Sequence, residues 1–330
     1  MERDLTERSG RLCIVKAKGG MGNRMLCAAS GILWARAAAR QCYVDWHDDA
    51  YSSDGENSLF HFFDPPSVLR DLSIRSESQV VPSIWKGRLG LSPSALFHQM
   101  DPAAHNSITA HRRYSVDASR IDQPEPIAVF WHYMDQIEKS KSLIRERVPG
   151  YDQLSYAAIL SKALREELPL VPHLAAEVDQ FVMKRFRSPV IGVHIRYSDR
   201  KAPIDRCRNA LRRMRARYPN AQIFLATDNR KVERDFRENY DEVLVTEKWL
   251  PEAGKPAHQS TACTDAVKNG NEAIRDMYLL SRCDALVYAR RSTFSFVSEC
   301  IGGFGRDRVI DVDRWNPSIR AKRLLRRIVL

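Results

Sequence analysis

Leu12-Cys13-Ile14-Val15 runs through Lys16-Ala17-Lys18 into Gly19-Gly20-Met21-Gly22-Asn23-Arg24, and this junction decides the fold class. The apolar quartet reads as a short buried strand. The glycines end it in a turn, and a helix rich in Ala, Leu and Met follows from about Arg24 to Arg40. Cys42 to Trp46 is a second strand. Strand, glycine loop, helix and strand in that order open a parallel, doubly wound sheet.

Outward from this unit the signal first fades and then returns. Between Asp48 and Pro124 prolines, serines and histidines abound and periodicity is weak, so an irregular stretch with short helices is expected. Ile127 to Trp131 is another buried strand, and Ser155 to Phe186 is mostly helical with breaks near Pro169 and Pro172. Beyond it strands are expected at Pro189–Ile195, Ala221–Ala226, Glu242–Thr246, Ala285–Tyr288 and Arg308–Val312. Helices are expected at Asp205–Tyr218, Lys231–Asn239, Asn271–Ser281 and Ser295–Gly302. This alternation builds a second parallel sheet. The expected architecture is α/β: two Rossmann-like doubly wound domains, residues 1–187 and 188–330, with a cleft between them.

Composition narrows the function classes. The chain has 330 residues, 44% hydrophobic and 28% charged, which is ordinary for a folded globular protein and excludes disorder or a disulfide-stapled scaffold. Its 52 Lys+Arg against 41 Asp+Glu leave a net charge of +11 and favour an anionic partner without choosing among nucleic acid, acidic membrane and phosphorylated substrate. Seven scattered cysteines with no CxxC pair read as reduced core residues of a cytoplasmic protein. The first ten residues lack an apolar leader core, and the longest apolar stretch, Cys27 to Ala39, contains Arg36 and is too short for the ~20 residues a bilayer span needs. The segment from Arg320 to Leu330 mixes basic and apolar residues as an amphipathic helix. Docking on the protein and peripheral contact with the inner face of the cytoplasmic membrane both fit it. It carries no interleaved aromatics, which argues against nucleic acid.

Ligands of open parallel sheets bind beyond the carboxyl ends of the strands, so the residues there are the candidates. Gly20, Gly22, Asn23 and Arg24 form a glycine turn at a helix start, suited to an anion, yet it is neither a Walker loop nor a dinucleotide fingerprint. A ligand-free strand-to-helix turn fits the spacing equally. Arg196 leaves the Pro189 strand with His194 two residues before it; its guanidinium suits a pair of phosphate oxygens, or else an ion pair with Asp199. Asp228 follows the Ala221 strand and, taken alone, reads as a helix cap. Asp276 sits a turn before the end of its helix, where a solvated carboxylate is the plainer reading. Ser292, Thr293, Phe294 and Ser295 place hydroxyls and backbone N–H groups at another helix start. Asp311 and Asp313 invite a metal, but successive odd positions on a strand are common and no metal-ligating motif accompanies them, so no metal is expected.

Five stretches in order, Gly19–Arg24, Gly192–Asp199, Phe224–Asn229, Asp276–Asp284 and Ser292–Phe296, resemble the GDP-fucose-dependent fucosyltransferases, most closely the bacterial NodZ-like α-1,6-fucosyltransferases. Pro256-Ala257-His258 adds a PxH segment of that kind. The resemblance implies a GT-B architecture with the donor bound mainly by the second domain and the acceptor on the first. It implies inverting transfer of L-fucose from GDP-β-L-fucose to a hydroxyl of an oligosaccharide or glycan, with neither a cofactor nor a required metal. By motif, Arg196 would bind the pyrophosphate, His194 would lie beside the nucleotide, and Asp228 near guanine or ribose. His258, Asp276, Ser292, Thr293, Phe294 and Ser295 would complete the donor pocket, faced by Gly20, Gly22, Asn23 and Arg24. Asp199 and Asp205 are the nearest carboxylates for catalysis. Tyr197 stands where eukaryotic α-1,6 enzymes carry a second arginine, which leaves acceptor choice open. Two other readings stand beside this one: a GT-B transferase of another nucleotide sugar, and a non-catalytic basic protein binding anions or nucleic acid.

Overall fold

Two separate parallel sheets organise the chain in the computed structural model, which describes residues 10–48, 50–52, 55–72, 79–102, 110–187, 189–198, 201–250, 263, 265–314, 316–317 and 321. The first contains β1 (Leu12–Lys16), β2 (Gln41–Asp45), β3 (Val80–Val81) and β4 (Ile127–Phe130) in the order β2-β1-β4-β3. Its half carries α1 (Met21–Ala37), α2 (Leu59–Phe62), α3 (Pro93–Met100), α4 (Ala110–Tyr114), α5 (Ile137–Arg147) and α6 (Tyr156–Glu166), and α7 (Pro172–Arg185) follows in the chain. The second sheet contains β5 (Val190–Ile195), β6 (Gln222–Thr227), β7 (Val243–Leu244), β8 (Ala285–Tyr288) and β9 (Val309–Asp311) in the order β7-β6-β5-β8-β9. With it go α8 (Ile204–Arg215), α9 (Arg230–Asn239), α10 (Ala266–Ser281) and α11 (Thr293–Gly302).

Central strands are buried on both faces, which is why β1, β4, β5, β6 and β8 read as apolar runs rather than alternating ones. The second sheet reverses its winding once, between β5 and β8; in the first the chain crosses from β2 to the far edge β3 and returns to β4, which puts its switch point between β1 and β4. Those two switch points are where a parallel sheet opens a crevice for ligands.

Helix α1 lies in the middle of the molecule. Nearly every residue in it is buried, because β1 and β2 lie on one side and α5, α6 and α11 on the others. Small residues permit this crowding: a Cβ on Gly31 would come within 2.5 Å of a Val15 methyl. The apolar core of the first sheet also takes in Ile274 and Met277 of α10 and Phe296, Val297 and Ile301 of α11. The two halves therefore share buried surface. Helix α7 crosses the other way: Val178, Phe181 and Val182 pack with Val190, Phe224 and Leu279. By packing, α7 goes with the second sheet, although it precedes the boundary expected after residue 187.

Two elements escape the sequence reading. Edge strand β3 is two residues long, too short to show a period. Helix α5 is rich in charge and buries only Ile137, Ser140 and Ile144, so its apolar stripe is thin. The stretch from Asp48 to Pro124 is irregular as expected, yet it supplies Phe97 and Tyr114, buried against Trp131 of the β4 exit, and Trp85, whose indole N–H donates to Tyr114 O. Among the described residues no helix is long and apolar enough to cross a membrane. The basic segment from Arg320 to Leu330 lies, apart from residue 321, outside the described residues.

Candidate active site

The two switch points face each other. Gly22, in the first turn of α1, abuts the first turn of α11: a Cβ there would lie 2.6 Å from the carbonyl carbon of Thr293 and 2.8 Å from the nitrogen of Phe294. At this contact glycine lets two helix starts touch, one from the exit of β1 and one from the exit of β8.

On the second-sheet side, His194, Arg196, Ala202, Ala289, Arg291 and Ser292 line one pocket over the β5/β8 switch point. His194 is the fifth residue of β5 and is buried, stacked on the Phe294 ring at 4.9 Å between centroids and 20° between planes. Its Nδ1 lies 3.0 Å from Ser295 Oγ. Burial, then the nearby charges of Arg196 and Lys248, push its pKa down to about 3, so it is neutral at physiological pH. Ser292 sits at the N-cap of α11 but makes no cap hydrogen bond, and its buried Oγ has no partner. Buried hydroxyls are ordinarily satisfied, and this one belongs to a residue that lines the pocket. The amino end of α11 adds unpaired backbone N–H groups and a partial positive charge.

Arg196 owes its place to Asp228. The Asp228 carboxylate, just past β6, accepts hydrogen bonds from Tyr197 N at 2.6 Å, Ser198 N at 3.1 Å and Ser198 Oγ at 2.5 Å. It ties down the loop that follows Arg196. The capping role that Asp228 suggested in isolation belongs to its neighbour: Asn229 Oδ1 accepts from Lys231 N at 3.0 Å and Val232 N at 3.1 Å.

Asp276 is not a solvated carboxylate. It is buried in α10, accepts from Thr246 Oγ1 at 2.5 Å and forms an ion pair with Lys248. One turn earlier, Glu272 accepts from Trp249 N at 2.8 Å. Helix α10 thus pins residues 246–249, and Lys248, a residue the sequence reading missed, comes near His194. A lone lysine after a two-residue strand gives no signal of its own.

Asp311 and Asp313 hold backbone and guanidinium rather than offering a metal pair. Asp311 Oδ1 accepts from Arg290 N at 3.0 Å and Asp313 N at 2.9 Å. Asp313 accepts from Arg291 N at 3.2 Å, Nε at 2.9 Å and Nη2 at 2.6 Å. Among the described residues no group of three or more His, Cys, Asp or Glu is placed to hold a metal ion.

On the first-sheet side, Gly20 caps α1, and Asn23, half-buried, turns its amide toward Gly19. Arg24 is 1% exposed and is absorbed by structure: Nε donates to Gly19 O at 2.8 Å, Nη2 lies 2.5 Å from Asp48 Oδ2, and the guanidinium sits between Trp46 and Tyr51. Tyr51 in turn accepts from Met21 N at 2.8 Å. Past the β1/β4 switch point, Lys18 Nζ stands 4.8 Å from the Phe97 ring and 5.5 Å from that of Tyr133. Burial lowers its pKa to about 8.

Asp205 does not join the pocket. Its side chain is 93% exposed in the first turn of α8, 3.8 Å from Arg208. Asp199 and His258 lie outside the described residues.

Residues 160–325, half of the chain, match the family model described as Nodulation protein Z (NodZ). This chain belongs to the NodZ family. The matched range contains β5 to β9 with Arg196, Asp228, Asp276 and Arg291, whereas the glycine turn lies before it. Over 317 residues the chain is 27% identical to Nodulation protein Z of Azorhizobium caulinodans, covering 87% of this chain and 88% of that one. A NodZ α-1,6-fucosyltransferase structure soaked with GDP-fucose superposes with a TM-score of 0.58 at 18% identity, over 88% of this chain and 92% of its own. NodZ from Bradyrhizobium matches at 0.57 and 19%, over 88% and 92%. An Arabidopsis thaliana FUT1 variant in complex with GDP matches at 0.56 and 14%, over 89% of this chain and 69% of its own. At these identities the likeness establishes the fold, the GT-B pairing of two Rossmann-like halves.

Proposed function

We propose that this protein is an inverting glycosyltransferase that moves L-fucose from GDP-β-L-fucose to a hydroxyl of an oligosaccharide, forming the α-1,6 linkage. The observation that carries it is the β5/β8 pocket of a NodZ-family chain: Arg196 at one strand exit, and across from it a helix start with an unsatisfied serine hydroxyl. A nucleoside diphosphate leaves with negative charge that must be met as the sugar bond breaks. Arg196 supplies a fixed guanidinium, and the amino end of α11 supplies oriented N–H groups. His194, neutral and stacked on Phe294, is a packing and hydrogen-bonding neighbour of the nucleotide, not a proton source.

The acceptor hydroxyl attacks the anomeric carbon from the face opposite the diphosphate, so one displacement inverts it, and one base suffices to take the hydroxyl proton. With Asp205 turned to solvent, Asp199 is the carboxylate assigned to that role. The acceptor is placed on the first-sheet side, where Lys18 and Tyr133 flank the second switch point. Peripheral contact with an anionic membrane is assigned to the basic carboxyl-terminal segment.

The test is a thermal-shift panel of GDP, UDP, dTDP and their sugars, followed by mass spectrometry of oligosaccharides incubated with GDP-fucose. Stabilisation by GDP and a mass gain of one deoxyhexose are expected, in EDTA as well. Stabilisation by UDP alone would redirect the donor. Salt-sensitive DNA binding with no turnover of any nucleotide sugar would replace the transferase reading. Arg196→Ala should lower turnover at least 100-fold with little change in melting temperature.

A further inference from the structure

We propose that Arg291 is a second guanidinium contact for the donor's diphosphate and that Asp313 is its positioning residue; this rests on the donor reading above. Arg291 lines the same pocket as Arg196, from the exit of the other inner strand. The two strands flanking the switch point thus each deliver an arginine. Each loop is locked by a carboxylate from the next strand outward: Asp228 past β6 for the Arg196 loop, Asp311 and Asp313 at β9 for residues 290 and 291.

The geometry leaves Arg291 a working edge. Asp313, wholly buried, takes Nε and one face of Nη2 and also holds the residue's own backbone N–H. A guanidinium has five N–H donors, so three remain, those of Nη1 and the outer N–H of Nη2. The side chain is 32% exposed, toward the pocket it lines. A charge clamped on backbone and side chain alike cannot swing away, so donors are oriented before the ligand arrives. The unpartnered Ser292 Oγ next to it in sequence points to an acceptor-rich ligand at the same spot.

A diphosphate presents two groups of oxygens, and a single fork pairs with two of them. The second guanidinium meets the remainder. Because Asp313 balances the charge of Arg291, this contact adds direction more than net attraction. Its effect should therefore depend on the phosphates being present.

Calorimetry with GDP and guanosine, the weaker ligand by competition, tests this. Arg291→Ala should weaken GDP by about 10- to 100-fold and leave guanosine within threefold. That variant strands a buried carboxylate, so the pair Arg291→Gln/Asp313→Asn, which keeps a neutral hydrogen bond at the clasp, is measured beside it. Asp313→Asn alone should raise the donor KM and lower kcat while guanosine affinity stays put. Equal losses for GDP and guanosine, or wild-type GDP affinity in the double variant, would overturn the assignment. If the wild type ignores GDP but binds another nucleoside diphosphate with the same dependence on Arg291, the fucose donor falls and the Arg291 contact stands.

Discussion

Gly22 and Thr293 are 271 positions apart in sequence and in direct contact in space, 2.6 Å from where a Cβ on Gly22 would sit to the Thr293 carbonyl carbon. Through this contact the β1 exit and the β8 exit confront each other across one cleft. The glycine turn is therefore a joint between two helix starts as well as a rim of the site.

Gly22→Ala should push α11 away from α1. Relief of a contact this close costs about 1–3 kcal/mol in a packed interior. Thermal denaturation should show that loss, with activity falling further because Ser292 and Ser295 ride on the same helix. Gly90, around which nothing lies within 4 Å of an added Cβ, serves as the control.

Asp228→Ala should remove three hydrogen bonds from the Arg196 loop, at about 2–3 kcal/mol. The donor KM should rise and kcat fall. Asp228→Asn keeps an acceptor for the two backbone N–H groups and should recover most of the binding. Steady-state kinetics on both variants separates a clasp from a nucleotide contact: a direct contact to the base would not be rescued by asparagine through the loop.

Lys248→Ala should leave the Asp276 carboxylate buried without its cation. Breaking a buried pair from one side costs about 3–5 kcal/mol. Urea denaturation should register it. Asp276→Asn/Lys248→Met, which removes both charges, should be milder.

His194 sets a pH dependence with a definite sign. Its folded pKa, about 3, lies below the 6.5 of the unfolded chain, so between these values the unfolded state binds more protons. Stability from this residue is fully present above pH 6.5 and declines as pH falls toward 3, at about 1.4 kcal/mol per pH unit. His194→Gln has no such group. Between pH 6.5 and 5 the wild type should lose about 2 kcal/mol relative to it in denaturant titrations. Parallel curves would show that the ring is protonated without penalty.

Much of the site's raw material was legible. The apolar runs and glycine turns located both sheets, since strands buried on two faces carry a continuous hydrophobic signal. Arg196 and Ser295 were legible because polar residues at strand exits of such sheets are few. Lys248 and the Asp313 clasp on Arg291 were not, because each depends on two segments whose meeting no local pattern encodes. The surroundings of Arg24 were not legible either: beside its glycines it meets Asp48, Trp46 and Tyr51, which come from later segments.

By itself the sequence determined most of the secondary elements, their parallel winding and which polar residues stand at the strand ends, for these follow from local periodicity and steric preference. Tertiary structure alone decided the partners of each charge: Asp276 with a lysine, Asp228 with a backbone loop, Asp205 with water. The reason is physical. A side chain's burial and its hydrogen-bond complement are properties of everything packed around it, and in this chain those surroundings come from residues tens to hundreds of positions away.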